Sequence, residues 1–73
     1  MNDHVYRIIE VVGTSNTSSD DAIRAAIERA SATVRGIRWF EVVETRGHVA
    51  DGAILHFQVT LKLGFTLDGA GDG

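Results

Sequence analysis

The sequence contains no cysteine and no proline, and it has a single tryptophan among 73 residues. Without cysteine the protein can form neither disulfides nor thiolate zinc sites. Three histidines are present, His4, His48 and His56. They show no pairing at the spacing of a helical turn or within a strand, so no metal site is predicted. Because proline is absent, nothing inside a helix or strand forces a kink.

The charge and hydropathy of the chain argue against two classes of partner. A formal net charge of −3 at pH 7 gives no positive surface for nucleic acid. No apolar run approaches the roughly 20 residues of a membrane span, and no basic region precedes an apolar run near the N-terminus. We therefore expect a cytoplasmic protein without a nucleic-acid or membrane partner.

The size of the chain limits it to one domain. A hydrophobic fraction of 44% is that of an ordinary globular protein. Domains of this size bury only about 60% of the surface of the unfolded chain and are marginally stable alone. With disulfides excluded, self-association is the predicted source of further stability. The domain is predicted to span residues 1–67, and the apolar-poor segment 68–73, DGAGDG, is predicted to be a disordered tail.

Hydrophobic periodicity predicts three strands and one helix in the order β-α-β-β, an α+β fold. Ser18 and Asp21 resemble a capping box at the start of the helix. Gly36 is a plausible left-handed cap at its end, and Asp51-Gly52 is a turn signal between the last two strands. The predicted elements are a strand at 4–12, a loop at 13–19, a helix from 20 to about 34, a strand at 37–46, a connection at 47–52 and a strand at 53–67.

The last strand has the clearest alternation and predicts which face of the sheet is buried. One set of its side chains is predicted to form the core against an apolar helix stripe: Leu55, Phe57, Val59, Leu61, Leu63 and Phe65 packed on Ile23, Ala26, Ile27, Ala30 and Val34. One helix cannot cover both faces of a three-stranded antiparallel sheet. The second face carries a mixture of apolar and hydrogen-bonding groups, which suits a partner or a ligand.

Trp39 lies in a strand and is predicted to point to this second face. Strict alternation places it with Glu41, Val43 and Thr45 and away from Phe40 and Val42. From the residues alone, an outward tryptophan could serve either subunit packing or ligand stacking. No arrangement of nucleophile and base and no pair of acids in an evident cleft is present, so the protein is not predicted to be an enzyme.

Five segments of the chain resemble the dodecin family over about residues 5–67. They are VYRIIEVVGTS, DAIRAAIERAS, TVRGIRWFEVVE, RGH and FQVTLKLGFTL, in that order. The specific part is RWFEV followed by QVTLKLGF, whose glutamine comes nineteen residues after the tryptophan. The predicted domain is therefore described as dodecin-like.

The resemblance implies a three-stranded antiparallel sheet partly wrapped around one helix and a hollow homododecamer with two-fold and three-fold contacts. It implies flavin binding, FMN or riboflavin (FAD is a further candidate), with two flavins at each two-fold contact. Trp39 matches the tryptophan that stacks on the isoalloxazine ring, and Gln58 matches the glutamine that hydrogen-bonds its polar edge. Arg46 matches an arginine near the flavin. His48, in the predicted connection, could touch a flavin phosphate.

The resemblance also implies a role in flavin storage, with photoprotective sequestration as a reasonable purpose and no turnover reaction. Two alternatives stay open: a coenzyme A carrier, and a structural assembly module without ligand. Thr66 stands where bacterial relatives often carry a basic residue, which removes a possible coenzyme A contact. Arg46 could equally form salt bridges with Glu41 or Glu44, and His56 could line either the site or an interface.

Overall fold

One helix lies against one face of a three-stranded antiparallel sheet in the computed structural model, which describes residues 5–67. The elements are β1 (Tyr6–Ser15), α1 (Ser19–Ser31), β2 (Ile37–Ala50) and β3 (Ala53–Thr66). The strand order is β1-β3-β2, so β3 is central and both its neighbours are antiparallel to it. The predicted β-α-β-β fold is confirmed. The predicted tail at 68–73 lies outside the described residues.

The start of α1 is held by two serines that precede it. The Ser18 hydroxyl accepts a hydrogen bond from the Asp21 backbone N–H at 3.0 Å, as the predicted cap requires. The Asp21 carboxylate does not return to Ser18, however. It accepts a 2.9 Å hydrogen bond from the hydroxyl of Ser15, which also accepts bonds from the backbone N–H groups of Thr17 and Ser18. The end of β1 and the start of α1 are therefore joined through one buried hydroxyl.

The first strand is longer than predicted, because residues 13–15 are not loop. They pair with β3 through Gly13↔Val59 and Ser15↔Phe57. Polar composition predicted a loop here, but the ladder with the central strand satisfies the backbone. A Cβ at Gly13 would overlap the Ala22 carbonyl oxygen and lie 2.8 Å from the Ala26 Cβ. Glycine therefore allows α1 to lie close against β1 at this point.

The helix ends earlier than predicted, at Ser31, with Ala32 as a right-handed cap. Bonds from the N–H groups of Thr33 and Val34 to the Ala30 carbonyl close its last turn. Gly36 does have a left-handed φ of 77°, but it lies beyond the helix rather than capping it. Its carbonyl accepts from the Thr66 N–H at 3.3 Å, so it directs the chain into β2.

The β2–β3 hairpin is tighter than predicted. Only Asp51 and Gly52 form the turn, with φ values of 53° and 77°. Positive φ at both central residues is the requirement of a type I′ turn, which matches the twist of the flanking strands. The turn signal was therefore right, whereas the predicted connection over 47–52 was too long because β2 continues to Ala50.

The core is small. Five hydrophobic residues are buried among those described: Ala22, Ala26, Val59, Leu61 and Leu63. The three from β3 belong to the face that the alternation predicted, whereas Ala22 was missed from the helix stripe. Leu55 was wrongly assigned to the core and is 54% exposed. It lies beyond Phe57, where β1 ends, so no third strand lies beside it.

The alternation of β2 is broken by a bulge, which corrects the predicted facing of several residues. Val42 pairs with Leu61 and Glu44 pairs with Thr60, so Val43 is an extra residue. Directly paired residues share a face of the sheet. Thr45, opposite the buried Val59, therefore lies on the helix side and not with Trp39.

On the side of the sheet where the helix packs, it does not cover the edge strand β2. It packs on β1 and β3. Phe40 and Val42 pair with the buried residues Leu63 and Leu61, as a core face would, yet they remain 48% and 41% exposed. The helix side of β2 is thus an apolar surface that the described part of the chain does not bury.

Candidate functional site

The face of the sheet opposite α1, called the open face below, carries the residues predicted to bind a ligand. The strand register identifies the residues of this face. Directly paired residues share a face and side chains alternate along each strand, so the face includes Glu10, Glu41 and Lys62 and every second pair from there. They are Tyr6, Ile8, Glu10, Val12 and Thr14 from β1, Trp39, Glu41, Glu44, Arg46 and His48 from β2, and His56, Gln58, Thr60, Lys62, Gly64 and Thr66 from β3.

Trp39 lies at one end of the open face, with its indole over Gly64 of the central strand. A Cβ at Gly64 would overlap Cε2 and Cζ2 of the indole and lie 2.6 Å from its Nε1. An aromatic ring that covers a cross-strand glycine protects the backbone there, and Gly64 is indeed buried. Tyr6 packs edge-on against the indole, with ring centroids 6.1 Å apart and an angle of 68°. The half-buried indole is therefore held from below and from one side.

The other three predicted site residues lie together at the opposite end of the open face. Arg46 is paired with Gln58, and His48 is paired with His56. The bulge at Val43 is the reason that Arg46 and His48 share a face with Trp39, since strict alternation from residue 39 would have put them on the helix side. This group of Arg46, His48, His56 and Gln58 is called the polar cluster below.

Arg46 forms an ion pair with Glu44 two residues earlier in the same strand. Its Nε and Nη2 donate to Glu44 Oε2 at 3.2 and 3.0 Å. Both side chains are about half exposed, and exposed ion pairs contribute only about 0–1 kcal/mol. The guanidinium is therefore oriented by Glu44 but could exchange that partner for a ligand at small cost.

One chain does not bring Trp39 and Gln58 together. Trp39 is opposite Gly64, and Gly64 and Gln58 are six residues apart in the same strand. At about 3.4 Å per residue the separation is about 20 Å. A single planar ligand cannot stack on this indole and hydrogen-bond the amide of the same chain. The two residues can meet only across two copies of the protein.

Three residues of the open face were missed as parts of a site or left undecided. Tyr6 and Gly64 flank the indole, and His56 stacks on His48 with ring centroids 4.4 Å apart. An isolated glycine in an alternating strand indicates a close approach, so Gly64 could have been found from the sequence. The Tyr6 and His56 contacts depend on strand register, which composition does not reveal.

A cavity of about 300 Å³ lies on the helix side of the sheet and not on the open face. Asp20, Ile23, Arg24 and Ile27 of α1 line it together with Phe40 of β2. It contains none of the four predicted site residues. The cavity is the gap between α1 and the uncovered strand β2.

Within residues 5–67, no group of three or more histidine and acidic side chains is placed to hold a metal ion. No helix in that same range is long and apolar enough to cross a membrane. Among the described residues no buried side-chain nitrogen or oxygen lacks a hydrogen-bond partner. Arg46 and His48 are exposed and Trp39 and Gln58 are half-buried, so the candidate site is a surface of one chain and not an enclosed pocket.

The chain is similar to known proteins over nearly its whole length. The family model for dodecin matches residues 5–68. The dodecin of Thermus thermophilus is 44% identical over 64 residues, which cover 88% of this chain and 93% of that protein. The calcium dodecin of Mycobacterium tuberculosis is 32% identical over 63 residues, covering 86% of this chain and 89% of that protein.

A solved structure supports the same relationship at the level of the fold. The dodecin from Streptomyces coelicolor superposes with a TM-score of 0.87 at 53% identity, covering 93% of this chain and 97% of that one. Sequence, element order and fold therefore agree, and the chain belongs to the dodecin family.

Proposed function

We propose that the protein binds and stores flavin, FMN or riboflavin, at contacts between copies of itself. The observation that carries the proposal is the position of Trp39. Its indole rests on the backbone of Gly64 and packs against Tyr6, so protein occupies one side of the ring. A fixed indole on an open face is a platform for a second flat ring, and such stacking contributes about 0.5–1.5 kcal/mol beyond area burial.

Gln58 of a second copy would complete the site. Its amide offers one acceptor and two donors, which suit the alternating carbonyl and N–H groups at the polar edge of the isoalloxazine ring. Because Trp39 and Gln58 of one chain are about 20 Å apart, the partner must lie antiparallel on the open face. A two-fold contact then pairs each Trp39 with the partner's amide and creates two equivalent flavin sites.

The flavin side chain would extend toward the polar cluster. Arg46 is oriented by Glu44 and suits a phosphate, because a guanidinium binds phosphate in a two-pronged manner. His48 is exposed on the same face and could donate to the same group. The proposal therefore assigns the ring to Trp39 and Gln58 and the phosphate of FMN to Arg46 and His48.

The role that fits this arrangement is sequestration and not catalysis. A flavin stacked on an indole and enclosed by a partner subunit offers a substrate little access. The indole can donate an electron to the excited flavin and so quench it, which would protect the cell from flavin photochemistry. We propose a homododecamer in the cytoplasm as the storage form, in line with the family resemblance.

A ligand-free assembly module is the second candidate, and the exposed apolar residues of the open face favour it. Ile8 and Val12 are both more than half exposed in the single chain. They would be buried by subunit contact whether or not a flavin is present. A coenzyme A carrier has less support, since no described contact distinguishes it.

Titration of FMN with the purified protein tests the proposal, with flavin fluorescence as the readout. The wild-type chain should quench FMN strongly, and Trp39→Ala should weaken binding at least about tenfold, the equivalent of about 1.4 kcal/mol. Trp39→Phe keeps a smaller aromatic ring and should give an intermediate affinity. Gln58→Ala should weaken binding without removing the quenching of the bound fraction.

The outcome also separates the two candidates. No quenching at micromolar wild-type protein would reject flavin binding and favour the assembly module. Comparison of FMN with riboflavin in Arg46→Ala identifies the phosphate contact, because only FMN should lose affinity. An equal loss for both flavins would assign Arg46 to the subunit contact instead.

A further inference from the structure

His48 and His56 face each other directly across β2 and β3 on the open face. Their imidazole rings are stacked, with centroids 4.4 Å apart and planes 22° from parallel. We infer that this pair is a binding site for a first-row transition-metal ion of the Zn²⁺ or Cu²⁺ type. The flavin proposal uses His48 for the FMN phosphate, but neither it nor the family resemblance assigns a metal ion to the pair, and the inference does not rest on either.

The geometry of the pair suits two ligands of one ion. Metal-to-nitrogen distances of about 2.0–2.1 Å and tetrahedral angles put two coordinating nitrogens about 3.4 Å apart. In the stacked arrangement the in-plane lone pairs of the two rings run nearly parallel, so both rings must turn about their side-chain torsions before two nitrogens can converge on one ion. Directly opposed Cβ atoms, about 4.5–5.5 Å apart, leave room for that turn. The pairing of β2 with β3 keeps the two residues directly opposite each other, so they need not be brought together when an ion binds.

The chemistry of the pair selects the class of ion. Imidazole suits zinc, copper and nickel, whereas calcium takes oxygen ligands. The site would therefore differ in kind from whatever holds calcium in the calcium dodecin of Mycobacterium tuberculosis. The nearest cation on the face, the guanidinium of Arg46, is paired with Glu44, which reduces its repulsion of a bound metal ion.

Two protein ligands leave the remaining positions of the ion to water or to a small exogenous ligand. Among residues 5–67 no third histidine or acidic group joins the pair. His48 is exposed and His56 is half-buried, so the ion would be reached from solvent in the single chain. Such a site would exchange its metal readily, unlike a four-ligand structural zinc site.

Calorimetric titration with ZnCl₂ tests the inference in the full chain without a purification tag and without flavin. The background variant is His4→Gln, which removes the third histidine of the sequence as a competing ligand. That chain should bind one Zn²⁺ per chain. His48→Gln and His56→Gln, each in the same background, should lower the affinity at least about tenfold, since even the loss of a group that only supports a ligand costs about that much.

A second measurement needs no substitution at the pair and remains informative if a variant fails to fold. Pulsed EPR of one equivalent of Cu²⁺ bound to the His4→Gln chain detects the remote nitrogen of each coordinated imidazole. Two coupled imidazoles support the site, and one or none overturns it. Unchanged Zn²⁺ affinity in folded His48→Gln or His56→Gln protein would also overturn it, as would no Zn²⁺ binding to the His4→Gln chain at millimolar metal.

Discussion

At the scale of single residues, the function proposed for Trp39 depends on a neighbour that has no side chain. The indole can lie across the sheet because Gly64 leaves the space beneath it free. Gly64 does not have positive φ, so its backbone is accessible to any residue. Glycine is therefore required here by the ring above it and not by the conformation of the strand.

Gly64→Ala should destabilise the protein by about 1–3 kcal/mol, because the new methyl group overlaps the indole and overpacking costs about that much. Tilting of the ring should also lower flavin affinity. Urea unfolding followed by circular dichroism measures the first effect, and FMN titration measures the second.

The control for this substitution is the same change in a Trp39→Ala background, where no indole opposes the methyl group. The destabilisation caused by Gly64→Ala should largely disappear there, because it comes from the contact between residue 64 and the indole. The difference between the two backgrounds is the coupling energy of this pair. A cost that persists without the indole would show that alanine is disfavoured by the strand itself.

At the scale of elements, the joint between β1 and α1 depends on Ser15. Its hydroxyl donates to Asp21 and accepts from two backbone N–H groups of the connecting turn. Ser18, by comparison, contributes one capping bond to the helix. The buried hydroxyl therefore supports both the turn and the first helical turn, on the side of the sheet opposite the open face.

Ser15→Ala should lower the free energy of unfolding by about 1–3 kcal/mol, because it leaves partly buried polar groups without partners. Ser18→Ala should cost about 1 kcal/mol, the usual value of a helix cap. The control is Ser31→Ala at the exposed end of α1, expected within about 0.5 kcal/mol of wild type. Thermal or urea unfolding gives all three values. Flavin affinity, measured at protein concentrations at which assembly is complete, should not change. A Ser15→Ala protein as stable as Ser31→Ala would contradict this account.

The elements themselves could be predicted from the sequence, whereas their details depended on contacts. The order β-α-β-β, the Ser18 cap and the Asp51-Gly52 turn follow from local patterns and are confirmed. The bulge at Val43 could not be predicted from the local sequence, because it depends on how β2 pairs with β3. Residues 13–15 look like a loop for the same reason, since their partners are more than forty residues away in β3.

The candidate site shows a similar division. Trp39, Gln58, Arg46 and His48 were chosen by resemblance, and the register puts all four on the open face. Alternation from Trp39 alone would have put Arg46 on the helix side. Trp39 and Gln58 of one chain do not meet, because six residues of β3, about 20 Å, separate Gln58 from Gly64 opposite the tryptophan. Their pairing across two chains stays a prediction.

At the scale of the whole molecule, one chain leaves apolar residues exposed on both faces of its sheet. Five buried hydrophobic residues form the described core, while Phe40 and Val42 on the helix side and Ile8 and Val12 on the open face remain accessible. The hairpin beyond the end of β1 is a two-stranded arm, and such arms are marginal without a partner. Neighbouring copies that cover both faces of the sheet are therefore the proposed source of further stability.

A native mass near twelve times 7.9 kDa, about 95 kDa, is expected for the assembled protein. The two-fold contact proposed to join Trp39 to the partner's Gln58 would have its axis near the middle of the open face, where Val12 pairs with Thr60. Val12→Glu would set two like charges against each other across that axis and should dissociate the assembly. Val12 is 55% exposed in the single chain, so the fold of that chain depends little on it.

Val12→Thr keeps the β-branched shape without a charge and is the matched control, expected to retain the native mass. Analytical ultracentrifugation with and without FMN measures both variants. The Val12→Glu protein should lose the 95 kDa species and flavin quenching together, because each flavin needs residues from two chains. If it instead binds FMN as a monomer with wild-type affinity, the site lies within one chain, and the antiparallel contact proposed between open faces is wrong.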